Sequence, residues 1–463
     1  MSKTTVTFII FGGTGDLTKR KLIPAFGQLL EQNTLSEKSL IIGVGRSEYT
    51  HESYREIILE SLQDSKEREL VSKLRIKYER VDSSIPKSLD ALTQKLQTWE
   101  DEQTTQRIFY LATTYKIFPN IIQNIQHAQL AQTTKETKIV FEKPFGHDYT
   151  SAKKLEEDIH AVFEESQIYR IDHYLGKETV QNLTVFKFAN PIINAILNGD
   201  LVEKIDVFVD ENLSVKDRLG YYDGAGSLKD MIQSHLLQVL ALVLMERPTH
   251  LSADCIHDEK VEILKQLTVL PAKHHILGQY EGYSRELTEA GFLESRTDTF
   301  SYLALSCNTK RWKGVDIALQ TGKNLDKKEG KIIIHFKSPQ SEFLGDFKHF
   351  KENKLVIDIH PQEDITLFFN TKKRFSSDTL ERVDMDFCGN CHFGPNTTDG
   401  YMKLLQDILL GDKTLFIRND ELLESWKIVD TIRAIKKDIV FVTYPKGSSG
   451  KEIIALAQKQ QNA

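Results

Sequence analysis

Cysteine is scarce. Four in 463 residues cannot make a disulfide framework, and such sparse use fits a reducing cytoplasm. A basic excess is missing too: 60 Lys and Arg against 66 Asp and Glu leave a net charge of -6. That balance offers no broad footprint for nucleic acid or an anionic membrane, so any anion site must be built locally. Long apolar runs are also lacking. The most apolar helical stretch, Met231 to Met245, is interrupted by Gln233, His235 and Gln238 and is too short and polar to span a bilayer. The N-terminus passes from Met-Ser-Lys-Thr-Thr directly into a strand pattern, without the basic and apolar segments of a signal peptide. There is no internal repeat and no low-complexity linker. The expectation is a cytoplasmic protein with no nucleic-acid or membrane partner.

Ordinary apolar content, 40 %, permits a large core, and the length suggests two or three domains. The first third alternates strand and helix signals. Val6–Phe11, Leu40–Val44, Ile108–Leu111 and Ile139–Phe141 are apolar runs separated by helical stretches. This alternation predicts a Rossmann-type α/β dinucleotide-binding domain over residues 1–172. Beyond it, Lys204–Val209, Thr299–Leu305, Val315–Leu319, Lys331–Phe336, Leu355–Ile359, Ile365–Phe369 and Arg382–Phe387 read as strands, many with period-2 alternation. Helical segments flank them at Ala225–Glu246 and Tyr401–Leu410. Residues 173–463 are therefore expected to form an α+β domain around a large, mostly antiparallel sheet.

The first strand runs into Gly12-Gly13-Thr14-Gly15-Asp16-Leu17 and then a helix. Glycines in that context make a tight turn and let backbone N–H groups approach a pyrophosphate at a helix N-terminus. A plain strand–helix turn is the competing reading. The next strand ends in Gly45-Arg46-Ser47, where an NAD site would place an acid for the ribose 2′-hydroxyl. Arg46 instead offers a cation to a 2′-phosphate, and Thr14 could add a hydroxyl, so NADP is favoured over NAD. Arg46 as a solvated loop residue is the alternative. Lys143-Pro144, just after a buried strand, puts an ammonium at the carboxyl edge of the sheet, where ligands bind in open α/β folds.

Arg170-Ile171-Asp172-His173-Tyr174-Leu175-Gly176-Lys177-Glu178 is the densest polar cluster. His173, Tyr174 and Lys177 form a donor set suited to a phosphate monoester. A helix entered at Leu175 would also bring Lys177 near a helix N-terminus. Ser227–Leu237 begins a helix that is apolar nearly all round. On spacing alone His235 reads more readily as a satisfied core residue than as a catalyst. Asp230 lies five residues back, about 140° around an α-helix, so the two need not meet.

Together these blocks resemble the glucose-6-phosphate dehydrogenase family. The resemblance rests on Gly12–Leu17, Glu142–Gly146, Arg170–Glu178 with Val180-Gln181-Asn182, and Asp230–Gln238. It continues through Gly278-Gln279-Tyr280, Arg311–Val315, Gly322-Lys323, Gly411–Phe416 and Trp426, in order along almost the whole chain. It implies an NADP-dependent oxidation of glucose 6-phosphate at C1 to a 6-phosphogluconolactone, the entry of the pentose phosphate pathway. It further implies that His235 is the general base, that Asp172 orients it, and that Lys143 lies near the reacting hydroxyl and the nicotinamide. His173, Tyr174 and Lys177 would hold the 6-phosphate. Glu211, Asp230, Lys323 and Lys328 would contact the sugar, and Asp82 the adenosine end. A homodimer through the large sheet is implied as well, and no metal.

The chain also departs from the family pattern. Thr114-Tyr115 stand where a Pro pair is usual, and Ser234 replaces an Asn before His235. Gln320 replaces an Arg, Asp358 and His360 replace an Arg and a Gln, and Gly400-Tyr401-Met402-Lys403 replaces Ala-Tyr-Glu-Arg. Two alternatives stay open: a dehydrogenase for a modified hexose 6-phosphate such as an amino sugar, and an inactive paralogue with a scaffold role. Cys388-Gly389-Asn390-Cys391-His392 has the form of a c-type haem attachment site. With no export signal and no second Cys pair it reads as a chance occurrence.

Overall fold

The computed structural model describes residues 3–339, 347–388 and 400–461. Two compact units emerge. One contains residues 1–176, 252–257 and 397–423; the other contains residues 177–251, 258–396 and 424–463.

The first unit is built on a six-stranded parallel sheet in the order β3-β2-β1-β4-β5-β6. Its strands are β1 (Val6–Phe11), β2 (Leu40–Gly45), β3 (Arg75–Arg80), β4 (Gln106–Leu111), β5 (Glu136–Phe141) and β6 (Ile168–Arg170). β1 and β4 are buried along their whole length, as strands covered on both faces must be. The expected α/β domain is present. The boundary differs from the one at 172: the chain leaves this unit after Gly176, and two later segments return to it. The reason lies in packing. Met402, Leu404, Leu405, Ile408 and Leu409 of the helix Gly400–Leu410 join Phe8, Phe26 and Leu29 in one core. The end of that helix is tied down as well. Lys138 Nζ and Gln106 Nε2 donate to the carbonyls of Ile408 and Leu409 at 2.6 and 3.0 Å. Free carbonyls at a helix C-terminus need such donors. The two returning segments also meet each other, with His257 Nδ1 lying 2.5 Å from Glu421 Oε1, both buried.

The second unit holds a large mixed sheet, ordered β15-β14-β13-β12-β7-β11-β10-β9-β16 among the described residues, with β8 beside β10. The strands are β7 (Val202–Asp210), β8 (Leu267–Val269), β9 (Ile276–Tyr280), β10 (Phe300–Cys307), β11 (Asp316–Gly322), β12 (Glu329–Phe336), β13 (Lys354–His360), β14 (Asp364–Lys372), β15 (Leu380–Cys388) and β16 (Val440–Tyr444). Pairing is antiparallel except for β7–β11 and β9–β16, so the mostly antiparallel sheet expected from the sequence is found. The parallel pair matters for function. It aligns Asp210 with Gly322 and so carries the residues that follow, Glu211 and Lys323, out of the sheet at the same end. Cys388 closes β15. Cys391 and His392 of the Cys-x-x-Cys-His motif lie outside the described residues.

Candidate active site

In the first unit the glycine turn is shaped by what cannot fit there. Gly12 has φ +88°, and a Cβ on it would sit 2.2 Å from the carbonyl oxygen of Ala112. A Cβ on Gly13 would sit 2.5 Å from the Cα of Gly43. β1 can therefore turn against β2 and β4 only without side chains at these two places. The N–H groups of both glycines donate to Val44 O at 3.0 Å, and Tyr54 Oη donates to Gly13 O at 2.7 Å. After Gly15, Asp16 and Leu17 the helix widens to a π turn over Thr18–Leu22. Pro24 supplies a cause, since it has no N–H to donate to the carbonyl of Arg20.

Arg46 is exposed just beyond β2. Thr14 Oγ1 would lie 3.7 Å from a Cβ on Gly45, so the hydroxyl sits beside the same strand end. Asp82 is drawn into its own turn, where its Oδ1 accepts from Ser84 Oγ and N at 2.6 and 3.0 Å. These bonds, helped by the charge of Arg46, hold its carboxyl below the usual range. Thr14, Arg46 and Asp82 thus gather at one edge of the sheet. A glycine turn opening a helix, with an exposed cation at the next strand end, is a donor set that fits a dinucleotide carrying a 2′-phosphate.

The carboxyl ends of β5 and β6 carry the next group. Lys143 follows β5, and its bond to Pro144 is cis. Beneath it, Tyr110 Oη donates to Glu142 Oε1 at 2.6 Å. Burial pushes the Glu142 carboxyl up to about 7, against the pull of Tyr110, Tyr401 and Lys143. Asp172 is buried and accepts from Tyr174 N at 2.9 Å. His173 is exposed, and its ring lies 5.0 Å from that of the buried Tyr174. The following helix starts at Glu178 rather than Leu175, with Lys177 at its N-cap. The turn from Asp172 to Gly176 takes up the intervening residues, and Leu175 N donates to Asp172 O at 3.0 Å.

The second unit contributes a charged cluster. Lys323 Nζ hydrogen-bonds Glu211 Oε2 and reaches Asp230 Oδ2 at 3.2 Å. It also lies 5.5 Å from the centre of the buried Tyr222 ring. Burial pulls the lysine down, but Asp230 and Glu211 together lift it above its ordinary value, so it is held charged. Near it, His360 has Lys177, Lys328, Glu211 and Glu329 as its charged neighbours. Burial and the two lysines press its imidazole down to about 4, so it is neutral. Lys177, Glu211, Lys328 and the Asp230–Lys323 pair are thus brought together in one unit. His360 joins them, although the sequence marked it only as a departure from the family pattern.

His235 is buried, on the helical segment Leu228–Leu236. That segment is a π-helix, not the α-helix its apolar pattern predicts. The difference corrects the expected separation of Asp230 and His235. A π turn bonds residue i to i+5, so residues five apart stack on one side instead of lying about 140° apart. The segment is capped by a residue no motif pointed to. Asp298 Oδ2 accepts from Ser227 Oγ at 2.8 Å and from Leu228 N at 3.1 Å, and Lys436 Nζ balances its charge at 2.6 Å. An anion at a helix N-terminus is favourable. The only sequence signal for it was an acid just ahead of a strand.

Comparison with known proteins gives a consistent result. The model of "Glucose-6-phosphate dehydrogenase, NAD binding domain" matches residues 9–182, and that of "Glucose-6-phosphate dehydrogenase, C-terminal domain" matches residues 184–463. The glucose-6-phosphate 1-dehydrogenase of Bacillus subtilis (strain 168) is 36% identical over 442 residues, covering 92% of this chain and 90% of that protein. That of Borreliella burgdorferi is 36% identical over 468 residues, covering 97% and 96%. A solved glucose-6-phosphate dehydrogenase in complex with its substrate glucose 6-phosphate is 30% identical, covers 100% of this chain and 98% of its own, and superposes with a TM-score of 0.88.

Proposed function

The chain belongs to the glucose-6-phosphate dehydrogenase family, and on that premise we propose how its residues divide the reaction. The reaction is the NADP-dependent oxidation of glucose 6-phosphate at C1, which yields a 6-phosphogluconolactone at the entry of the pentose phosphate pathway. NADP, when bound, supplies the ring carbon that accepts the hydride. The Gly12–Leu17 turn would hold its pyrophosphate, Arg46 and Thr14 its 2′-phosphate, and Asp82 its adenosine end. His235 takes the proton from the C1 hydroxyl as the hydride leaves. Asp172 is the carboxylate that orients this imidazole and steadies its charged form. Lys143 orients the reacting hydroxyl from the edge of the parallel sheet. His173, Tyr174 and Lys177 hold the 6-phosphate by charge-assisted hydrogen bonds. Glu211, Asp230, Lys323 and Lys328 contact the ring hydroxyls.

The observation that carries this reading is the cluster of buried Lys323 and Asp230 with half-buried Glu211, at the end of the parallel β7–β11 pair and five residues from His235 on one π-helix. Charges at Lys323 and Asp230 are costly to desolvate, so burying them is a poor way to gain stability alone. The test is a substrate panel. With NADP, glucose 6-phosphate should give the ultraviolet absorbance of reduced nicotinamide, at a rate well above glucosamine, galactose or mannose 6-phosphate. A higher rate with glucosamine 6-phosphate would replace the assigned sugar, and silence with every sugar would favour the scaffold alternative.

We also assign a homodimer and a cytoplasmic location. Exposed Met385 and Phe387 on β15 give the sheet an apolar margin that a second copy would cover. Among the described residues no helix is long and apolar enough to cross a membrane. Light scattering of the purified protein tests the dimer.

A further inference from the structure

The second unit contains a buried link between the sugar-binding residues and a helix far along the chain. Asp210 ends β7 and immediately precedes Glu211. Its side chain is 5 % exposed, and both its oxygens accept from Gln320 Nε2, at 3.1 and 2.9 Å. Gln320 lies on β11, three residues before Lys323. The two strands are parallel and in register here, and their ends are stitched together by backbone bonds. Glu211 N donates to Gly322 O at 2.9 Å, and Leu325 N donates to Glu211 O at 3.0 Å. The Asp210–Gln320 bond therefore spans the two strand ends that present Glu211 and Lys323.

The other side of Gln320 rests on the first residue of the helix Gly450–Gln461. Gly450 is buried, and a Cβ there would stand 2.2 Å from Gln320 Nε2 and 2.7 Å from its Cδ. The amide group thus occupies the space an alanine would need. This helix packs beside β16, whose Tyr444 hydroxyl donates to the carbonyl of Lys323 at 2.8 Å. Two routes lead from the helix to the lysine: one through Gln320 and Asp210, the other through Tyr444.

We propose that Asp210 and Gln320 are positioning residues for sugar binding, seated by Gly450, so that the helix Gly450–Gln461 sets the geometry of Glu211 and Lys323. The chemistry fits. Asp210 is dry and faces the acids Glu329 and Asp326, so burial raises its carboxyl to about 7 and the Gln320 amide is the donor that opposes this. Removing the amide leaves a buried carboxyl without that donor, and such groups reorganise. The inference rests on the reading that Glu211 and Lys323 bind the sugar.

The test is a double-mutant cycle on the full chain, following turnover with glucose 6-phosphate and NADP. Gly450→Ala and Gln320→Ala should each raise KM for glucose 6-phosphate by about tenfold, the effect of losing one hydrogen bond to a charged group. KM for NADP should stay within about twofold, because the nucleotide residues lie in the other unit. The double variant should be no worse than the poorer single, since both act through one contact. Multiplying effects, or a KM for glucose 6-phosphate unmoved in both singles, would overturn the proposal, as would equal rises in both KM values. A thermal midpoint for each variant separates misfolding from mispositioning, and Gln320→Ala remains informative if Gly450→Ala fails to fold. An inactive wild-type chain would instead count against the function itself, so the two failures are told apart.

Discussion

The two units build their polar sites by opposite means. In the first, the glycine turn depends on atoms that are missing: a methyl group at Gly12 or Gly13 would collide with backbone of a neighbouring strand. In the second, the site depends on long side chains gathered from distant places, with Lys323 held between Glu211 and Asp230. A surface shaped by backbone is intolerant of addition. A surface made of charged side chains fails when one charge is removed. The first suits a large, invariant cofactor, and the second suits a small sugar whose hydroxyl pattern must be read.

Substitutions can break that contrast, and the largest effect should come from the second unit. His235→Asn should lower kcat by about 10²–10⁴, the usual contribution of a positioned base, with KM for glucose 6-phosphate little changed. Near-normal turnover would move the chemistry elsewhere. Next comes an addition to the first unit. Gly13→Ala drives a Cβ against Gly43, so NADP affinity measured by fluorescence titration should fall by more than about tenfold, or the unit should lose stability. Unchanged affinity would mean the turn is not backbone-limited.

Single cations should then behave alike in both units. Lys177→Ala should raise KM for glucose 6-phosphate about tenfold by removing one charge-assisted contact. Arg46→Ala should lower the preference for NADP over NAD by a similar factor, read as the ratio of the two kcat/KM values. An unmoved ratio would take the 2′-phosphate away from Arg46. The smallest effect concerns Glu142. Its carboxyl keeps a proton up to about pH 7 in the folded chain, whereas an unfolded Glu releases it near about 4.3. The folded state therefore binds more protons across that window, and this group's contribution to stability falls as pH rises through it. Glu142→Gln should flatten that part of the slope in urea melts at several pH values. A slope identical to wild type would show that Glu142 is not the group responsible.

Much of the first unit was legible in the sequence because parallel strands buried on both faces are nearly continuous apolar runs. Val6–Phe11 and Ile139–Phe141 announce themselves in that way. Arg75–Arg80 does not: it is an edge strand that alternates charge with apolar residues. Ile168–Arg170 is too short to carry a pattern. Motif spacing made the Arg170–Glu178 cluster visible, since its members are neighbours in the chain. The Lys323–Glu211–Asp230 cluster had no such signal. Its members are scattered along the sequence: the parallel pairing of β7 and β11 brings Glu211 and Lys323 together, and the π-helix adds Asp230. The π-helix at Leu228–Leu236 was hidden for another reason. The segment mixes Lys229, Asp230, Gln233, Ser234 and His235 with apolar residues yet is buried almost throughout, so the spacing of its polar residues does not tell an α from a π register. Gln320, noticed as a departure from a family pattern, acquires meaning only from its contacts with Asp210 and Gly450.

The return of residues 397–423 to the first unit has a consequence for synthesis. Phe8, Phe26 and Leu29 share their core with Leu405 and Ile408, so the nucleotide half cannot finish folding while the ribosome is still making the large sheet. Its oily flank must wait, exposed, through more than half of translation. A fragment ending at residue 176 should therefore be sticky and short-lived, and the nascent chain is a natural client for chaperones that shield apolar surface.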